Sequence, residues 1–196
     1  LRFRRPKREG RSKRRPWPDW AEETPNRIWI YDTTHWTKAG AATTVISDVI
    51  SRKWIADITS ADETSVEVQA VFHRALIAEG IDQLIEDANP DSQPWDPESD
   101  DTPVLLVMSD NGPQMTSGST KEFMALAWLA THYGRPGTPT DQAWIESLFG
   151  HLKGEFPHLE GIVDIDVLRA ELELRQAHYN QVRLSHGVWN LSQHVA

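Results

Sequence analysis

The chain carries 196 residues, 39% of them hydrophobic, with nine tryptophans, which is enough apolar content for one ordinary core. It has no cysteine, so disulfides, thiol catalysis and cysteine-based zinc sites are excluded, and any metal must be held by oxygen or imidazole. No apolar run approaches the roughly 20 residues that span a bilayer, and the first residues lack the apolar stretch of a signal peptide, which predicts a soluble, cytoplasmic chain.

The net charge of −9 conceals a strong asymmetry. Residues 1–15 hold nine basic side chains (Arg2, Arg4, Arg5, Lys7, Arg8, Arg11, Lys13, Arg14, Arg15) and one acid, Glu9, for a net +8. So basic a run cannot pack into a core and suits an arm that neutralises DNA phosphates, a solvated tail being the plain alternative. The other 181 residues hold 11 basic and 28 acidic side chains, a net −17, so the remainder is no basic cradle for DNA. Pro16, Pro18 and Pro25 punctuate the passage into the first regular element. Residues 1–25 therefore read as a basic arm or linker, and 26–196 as one folded unit.

Three runs rich in Ile, Val, Thr and aromatics, residues 27–34, 41–50 and 53–60, are separated by short polar gaps and predict an antiparallel meander. From Thr64 to Glu79, Val66, Ala70, Phe72, Leu76 and Ile77 recur at helical spacing, and residues 81–87 extend or follow that helix. The stretch from Asn89 to Thr102 is proline-rich and acidic with little apolar content beyond Trp95, and reads as a solvated loop within an acidic insertion near 80–102. Val104 to Met108 predicts a buried strand ending at the turn Ser109-Asp110-Asn111-Gly112. Helical patterns follow over 120–130, 141–153 and 164–180, and no internal repeat is visible. The order is that of a mixed α/β fold.

Asp32 lies inside the first strand between Tyr31 and Thr33, where a buried carboxylate is costly unless paired or bound to a cation. Asp110 follows the apolar strand directly, and Glu146 lies on a helix among Trp144, Ile145, Leu148 and Phe149. Three carboxylates from three elements suit a two-cation site for phosphoryl transfer, in which metal ions neutralise the developing charge and align the attacking and leaving oxygens. Surface charges are the plain reading of the same residues.

Between Asp110 and Glu146 lie 35 residues, a separation that resembles the last two acids of the DDE signature shared by retroviral integrases and bacterial insertion-sequence transposases. Ser109-Asp110-Asn111-Gly112 resembles the family's second-acid turn, and the words from Asp141 to Lys153 resemble the helix that presents its glutamate. Asp32-Thr33-Thr34 and the run from Asp48 to Arg52 resemble the first-acid strand and the turn after the second strand. Tyr179-Asn180 with Arg183 and His186 resembles the closing motif of insertion-sequence transposases, the branch to which the resemblance is nearest. It spans about residues 26–190. The chain departs from the pattern in the 77 residues between Asp32 and Asp110, in Gln142 where many relatives carry Asn, and in its scarcity of basic residues.

The resemblance implies a ribonuclease H-like fold, with three antiparallel strands then parallel strands in one mixed sheet flanked by helices. It implies that Asp32, Asp110 and Glu146 are catalytic acids holding two Mg2+ ions, with Mn2+ as a substitute, in a polynucleotidyl transferase that cleaves DNA ends and transfers strands. Implied partners are element-end and target DNA, an oligomer on that DNA and transposition-accessory proteins; the implied location is cytoplasmic, on the bacterial nucleoid when DNA is bound. Lys153, two helical turns after Glu146, joins Arg4, Arg5, Arg14 and Arg15 as candidate DNA contacts. A domain that recognises element ends is expected upstream, since no helix-turn-helix pattern precedes residue 25. The alternatives are a catalytically silent DNA- or protein-binding module of the same fold and a nuclease that only hydrolyses. His35, His151 and Asn111 read first as hydrogen-bonding or turn residues, Trp36 and Trp144 as core or rim, and Tyr179, Arg183 and His186 as packing residues.

Overall fold

The computed structural model describes residues 18, 20–22, 24–89, 91–109, 112–133 and 143–192, the side chains of 143, 144 and 183–192 excepted. Five strands, β1 (Ile28–Trp36), β2 (Ala41–Asp48), β3 (Trp54–Ser60), β4 (Leu105–Ser109) and β5 (Leu129–Tyr133), form one sheet in the order β3-β2-β1-β4-β5. The first three pair antiparallel, whereas β1–β4 and β4–β5 pair parallel. Helices α1 (Ser65–Ala78), α2 (Ile81–Ala88), α3 (Pro113–Thr116), α4 (Gly118–Leu126), α5 (Ala143–Glu155) and α6 (Ile165–Ser192) flank it, with a 3-10 turn at Pro157–Gly161. This is the mixed, helix-flanked, ribonuclease H-like sheet expected from the sequence. Among the described residues no helix is long and apolar enough to cross a membrane.

β1 is buried on both faces over Ile28–Tyr31, where its sequence runs continuously apolar. Ile28, Ile30 and Trp36 join one cluster with Ile145, Leu148 and Leu152 of α5 and Leu168 and Leu172 of α6. Trp29 and Tyr31 join another with Val68, Val71, Phe72, Ala75 and Leu76 of α1. Tyr31 meets Phe72 edge-to-face at 4.8 Å. Buried polar groups between the strands pair with one another: Trp36 Nε1 donates to Thr43 Oγ1 at 2.8 Å, and Thr43 and Thr59 share a hydrogen bond of the same length.

Helix α1 starts where its sequence says it should. Thr64 is the N-cap, its hydroxyl accepts from Val66 N, and Glu67 reaches back to the Thr64 backbone in a capping box. Gly80, at φ +65°, turns the chain between α1 and α2, so residues 81–88 follow the first helix as a separate one.

Two local expectations are corrected. The helix expected over 120–130 ends at Leu126; Trp128, at φ +52°, breaks it, and Leu129–Tyr133 becomes β5 by pairing in register with Leu105–Ser109. Nor is the acidic stretch merely a solvated loop. Asn89 is buried and exchanges two hydrogen bonds with the Gln93 backbone, Trp95 N donates to Ala125 O at 2.8 Å, and Trp128 Nε1 donates to Gln93 O at 2.8 Å. The segment's acids stay exposed while its backbone is stitched to the α4–β5 corner.

At the other end of the sheet, β3 is an edge strand, and an open edge invites pairing with another chain. Helix α6 covers it with side chains. Arg169 donates from Nε and a terminal nitrogen to Thr59 O at 3.0 and 2.8 Å, and Gln176 Nε2 donates to Trp54 O and Ile55 O. Asn180 both accepts from Trp54 N and donates to Trp54 O, each at 2.9 Å.

Candidate functional site

Asp32 pairs with Val45 of β2, is partly buried and, by strand alternation, shares the sheet face of Ile30 and Trp36 that α5 covers. Its Oδ1 accepts the backbone N–H of Thr33 at 2.8 Å. Glu146 stands exposed in the first turn of α5, between Ile145 and Leu148, which are buried against the sheet. A carboxylate there is stabilised by water and by the helix N-terminus without any cation. Strand β4 lies beside β1 and pairs with it as far as Ile30 and Met108. Asp110, which follows the last residue of β4, lies outside the described residues, as do Asn111 and residues 134–142.

Among the described residues no three His, Asp or Glu side chains converge into a group that could hold a metal ion. The expectation of a two-metal site is corrected on that ground. With it go the magnesium or manganese cofactor, the DDE-type polynucleotidyl transferase activity, and the assignment to DNA cleavage and strand transfer. Asp32 gives one oxygen to the N–H of Thr33, Glu146 is exposed, and no third acid joins them among the described residues.

Lys153, two turns along α5, faces the chain itself. Its Nζ donates to His35 O at 3.1 Å, lies 3.3 Å from Glu160 Oε1 and sits 5.0 Å from the centre of the Trp36 ring. Both histidines near the acids have carboxylate neighbours: His35 Nε2 lies 2.7 Å from Glu63 Oε1 and His151 Nδ1 lies 3.6 Å from Glu155 Oε1. Trp36 is fully buried, and Tyr179 packs edge-to-face on Trp54 at 6.3 Å, so both serve packing. Arg4, Arg5, Arg14 and Arg15, and the side chains of Trp144, Arg183 and His186, fall outside the described residues.

The sequence reading overlooked Asp57. On β3 it pairs with Val45, and so stands in the same cross-strand row as Asp32. Burial pushes its carboxyl up to a pKa of about 6, although Arg74 and the Trp54 indole pull it down; Glu173 raises it further. The Trp54 nitrogen is itself buried with no partner in hydrogen-bond geometry among the described residues. A lone acid in a run of β-formers was the available signal, the same one that drew attention to Asp32.

Residues 128–190, from just before β5 through most of α6, match the model of the family described as integrase core domain. Among solved structures, a chain of the simian T-cell lymphotropic virus intasome in complex with PP2A regulatory subunit B56 gamma is 21% identical, covering 68% of this chain and 40% of that one, at a TM-score of 0.52. The catalytic core domain of BIV integrase is 22% identical over 69% of this chain and 72% of its own, at 0.46. The HTLV-2 integrase catalytic core domain in complex with magnesium, in its trimeric form, is 20% identical over 82% and 83%, at 0.47. No curated protein matches the chain. At such identities the likeness is one of fold, and it rests on the intasome chain, less than half of whose length this chain spans. The expected nearness to bacterial insertion-sequence transposases is corrected, because the family match is to the integrase core domain and the fold likeness is to a chain of a viral intasome.

Proposed function

We infer that the chain is a catalytically silent DNA-binding module built on an integrase-core fold. The observation that carries this reading is the division of charge: a +8 arm over residues 1–15 attached to a −17 remainder, with no metal-holding group among the described residues of that remainder. Phosphate binding is then assigned to the arm, with Arg4, Arg5, Arg14 and Arg15 among its contacts. Lys153 is left out of the DNA-binding set because its ammonium is engaged by His35, Glu160 and Trp36. The hydrolytic alternative needs the same metal cluster as strand transfer and is not favoured. The proposal has the protein act in the cytoplasm, on the nucleoid when DNA is bound, as an oligomer there and alongside accessory proteins of transposition.

The test is DNA binding and DNA joining measured side by side on the full chain, with magnesium, manganese or EDTA. Binding that ignores the metal, unchanged in Asp32→Asn, Asp110→Asn and Glu146→Gln, with neither cleavage nor joining, is the expected result. Metal-dependent cleavage or joining that is lost in Glu146→Gln would overturn the reading and return the three acids to a catalytic role.

A further inference from the structure

The outward face of α2 and the segment after it is strongly acidic. From Ala75 to Thr120 the chain carries no Lys, Arg or His, while Asp82, Glu86, Asp87, Asp91, Asp96, Glu98, Asp100 and Asp101 all fall within it. These acids are exposed, and among the described residues none of them forms a salt bridge. Apolar side chains are exposed on the same pair of helices, Leu84 on α2 at 56% and Ile77 on the last turn of α1 at 53%. An amphipathic face of this sign calls for an occupant that is cationic with some apolar content.

The chain supplies one and tethers it nearby. Where it leaves the arm, Asn26 Nδ2 donates to Glu79 Oε2 at 2.9 Å and Arg27 donates to Val104 O at 3.2 Å. Glu79 and Val104 bound the acidic tract on either side, so the root of the arm is bonded to both of its ends. Trp20, just past the arm, and Trp95, in the middle of the tract, border the same core cluster. The 15 residues of the arm extend to about 50 Å and α2 is only about 12 Å long, so the arm is long enough to span that face. Tethering at that range gives an effective concentration of about a millimolar or more, ample for a charge-driven contact. Leu1 and Phe3 add apolar groups to its nine cations.

We propose that residues 1–15 dock on the acidic outer face of α2 and the 91–101 segment of their own chain, and that DNA competes with this face for the arm. The docking is electrostatic, and it withholds the arm from DNA until phosphates of higher charge density displace the carboxylates. The competition rests on the reading of the arm as the DNA-binding segment; the docking does not.

Zero-length carbodiimide cross-linking of the full chain tests the docking without DNA. Lys7 and Lys13 are the arm's side-chain amines, and mapping their amide links by mass spectrometry should find them joined to acids between Asp82 and Asp101. The links should form within one chain in a mixture of light and isotope-labelled protein. They should disappear at about 1 M salt, where the Debye length is about 3 Å. In the variant Asp96→Asn, Glu98→Gln, Asp100→Asn and Asp101→Asn they should fall by more than half, and short duplex DNA should suppress them in wild type. Links spread over exposed acids elsewhere, such as Glu22 and Asp166, links between chains, or links indifferent to the variant would overturn the docking. Links that behave as expected but persist in saturating DNA would overturn the competition alone, whereas failure of the chain to bind DNA at all sinks the DNA-binding reading and leaves the docking standing.

Discussion

The ammonium of Lys153, near the end of α5, donates to the main-chain carbonyl of His35, the penultimate residue of β1, at 3.1 Å. The helix that carries Glu146 is thereby pinned to the end of the strand that carries Asp32, and the Trp36 ring beneath holds the cation from below at 5.0 Å. Glu160 Oε1, 3.3 Å away, completes the set of contacts this side chain makes within its own chain.

Replacing Lys153 by Met keeps the stem and removes the charge-assisted bond and the cation–π contact. The expected cost is about 1 kcal/mol, because the site is partly exposed, read as a lower urea midpoint with an altered tryptophan fluorescence of the native state. DNA affinity should change by less than about twofold, since one lost phosphate contact would cost more than that. A variant as stable as wild type but defective in DNA binding would show the reverse assignment to be right.

Asn180 acts on the edge of β3 as a neighbouring strand would, accepting from Trp54 N and donating to Trp54 O. Asn180→Ala leaves the N–H of a fully buried residue without an acceptor, at an expected cost of about 1–3 kcal/mol. The opened edge should also raise the rate of aggregation on mild heating, followed by light scattering. Asn180→Asp, which keeps the acceptor and loses the donor, should fall between the two. An unchanged melting temperature in Asn180→Ala would mean that α6 does not stabilise this edge.

Asp57 gives the stability of the chain a pH dependence of unusual sign. Its carboxyl is raised to about 6 in the folded chain by burial and titrates near 3.8 when unfolded, so between those values the native state holds the proton more often. The contribution is fully present below about pH 4 and is lost as pH rises through about 6. Asp57→Asn, a neutral isostere, should therefore be more stable than wild type at neutral pH by up to about 3 kcal/mol. The difference should vanish near pH 4, as denaturant unfolding at a series of pH values will read out. A constant difference across that range would assign the effect to something other than the carboxyl.

Each phosphate contact contributes about 0.9 to the slope of log affinity against log salt on duplex DNA. Arg4, Arg5, Arg14 and Arg15 changed together to Ala should lower the slope of the full chain by about 3.6 if all four touch phosphates. Titrations followed by fluorescence anisotropy over a range of salt measure this directly. A weaker affinity with an unchanged slope would place the contacts on other residues.

What local chemistry dictates was legible in the chain itself. Alternating and β-branched runs mark β1 to β3, Thr64 and Glu67 mark the start of α1, and the apolar burst before Ser109 marks β4. These elements follow from steric preference, capping and burial within a few residues. Leu129–Tyr133 could not be read that way, because nothing in Leu-Ala-Thr-His-Tyr separates it from the helix before it; β4 alongside makes it a strand. The Asn89 to Thr102 stretch likewise looks like solvated loop until Trp95 and Trp128 find backbone partners far away in sequence. For the candidate site, the residue pattern placed Asp32 on a strand and Glu146 on a helix, as the structure has them. Whether carboxylates converge depends on side-chain direction and solvation, and only the tertiary structure decided that the described acids do not gather into a metal site. It also decided that Lys153 and Asn180 bind the protein's own backbone, since both contacts join residues more than a hundred positions apart.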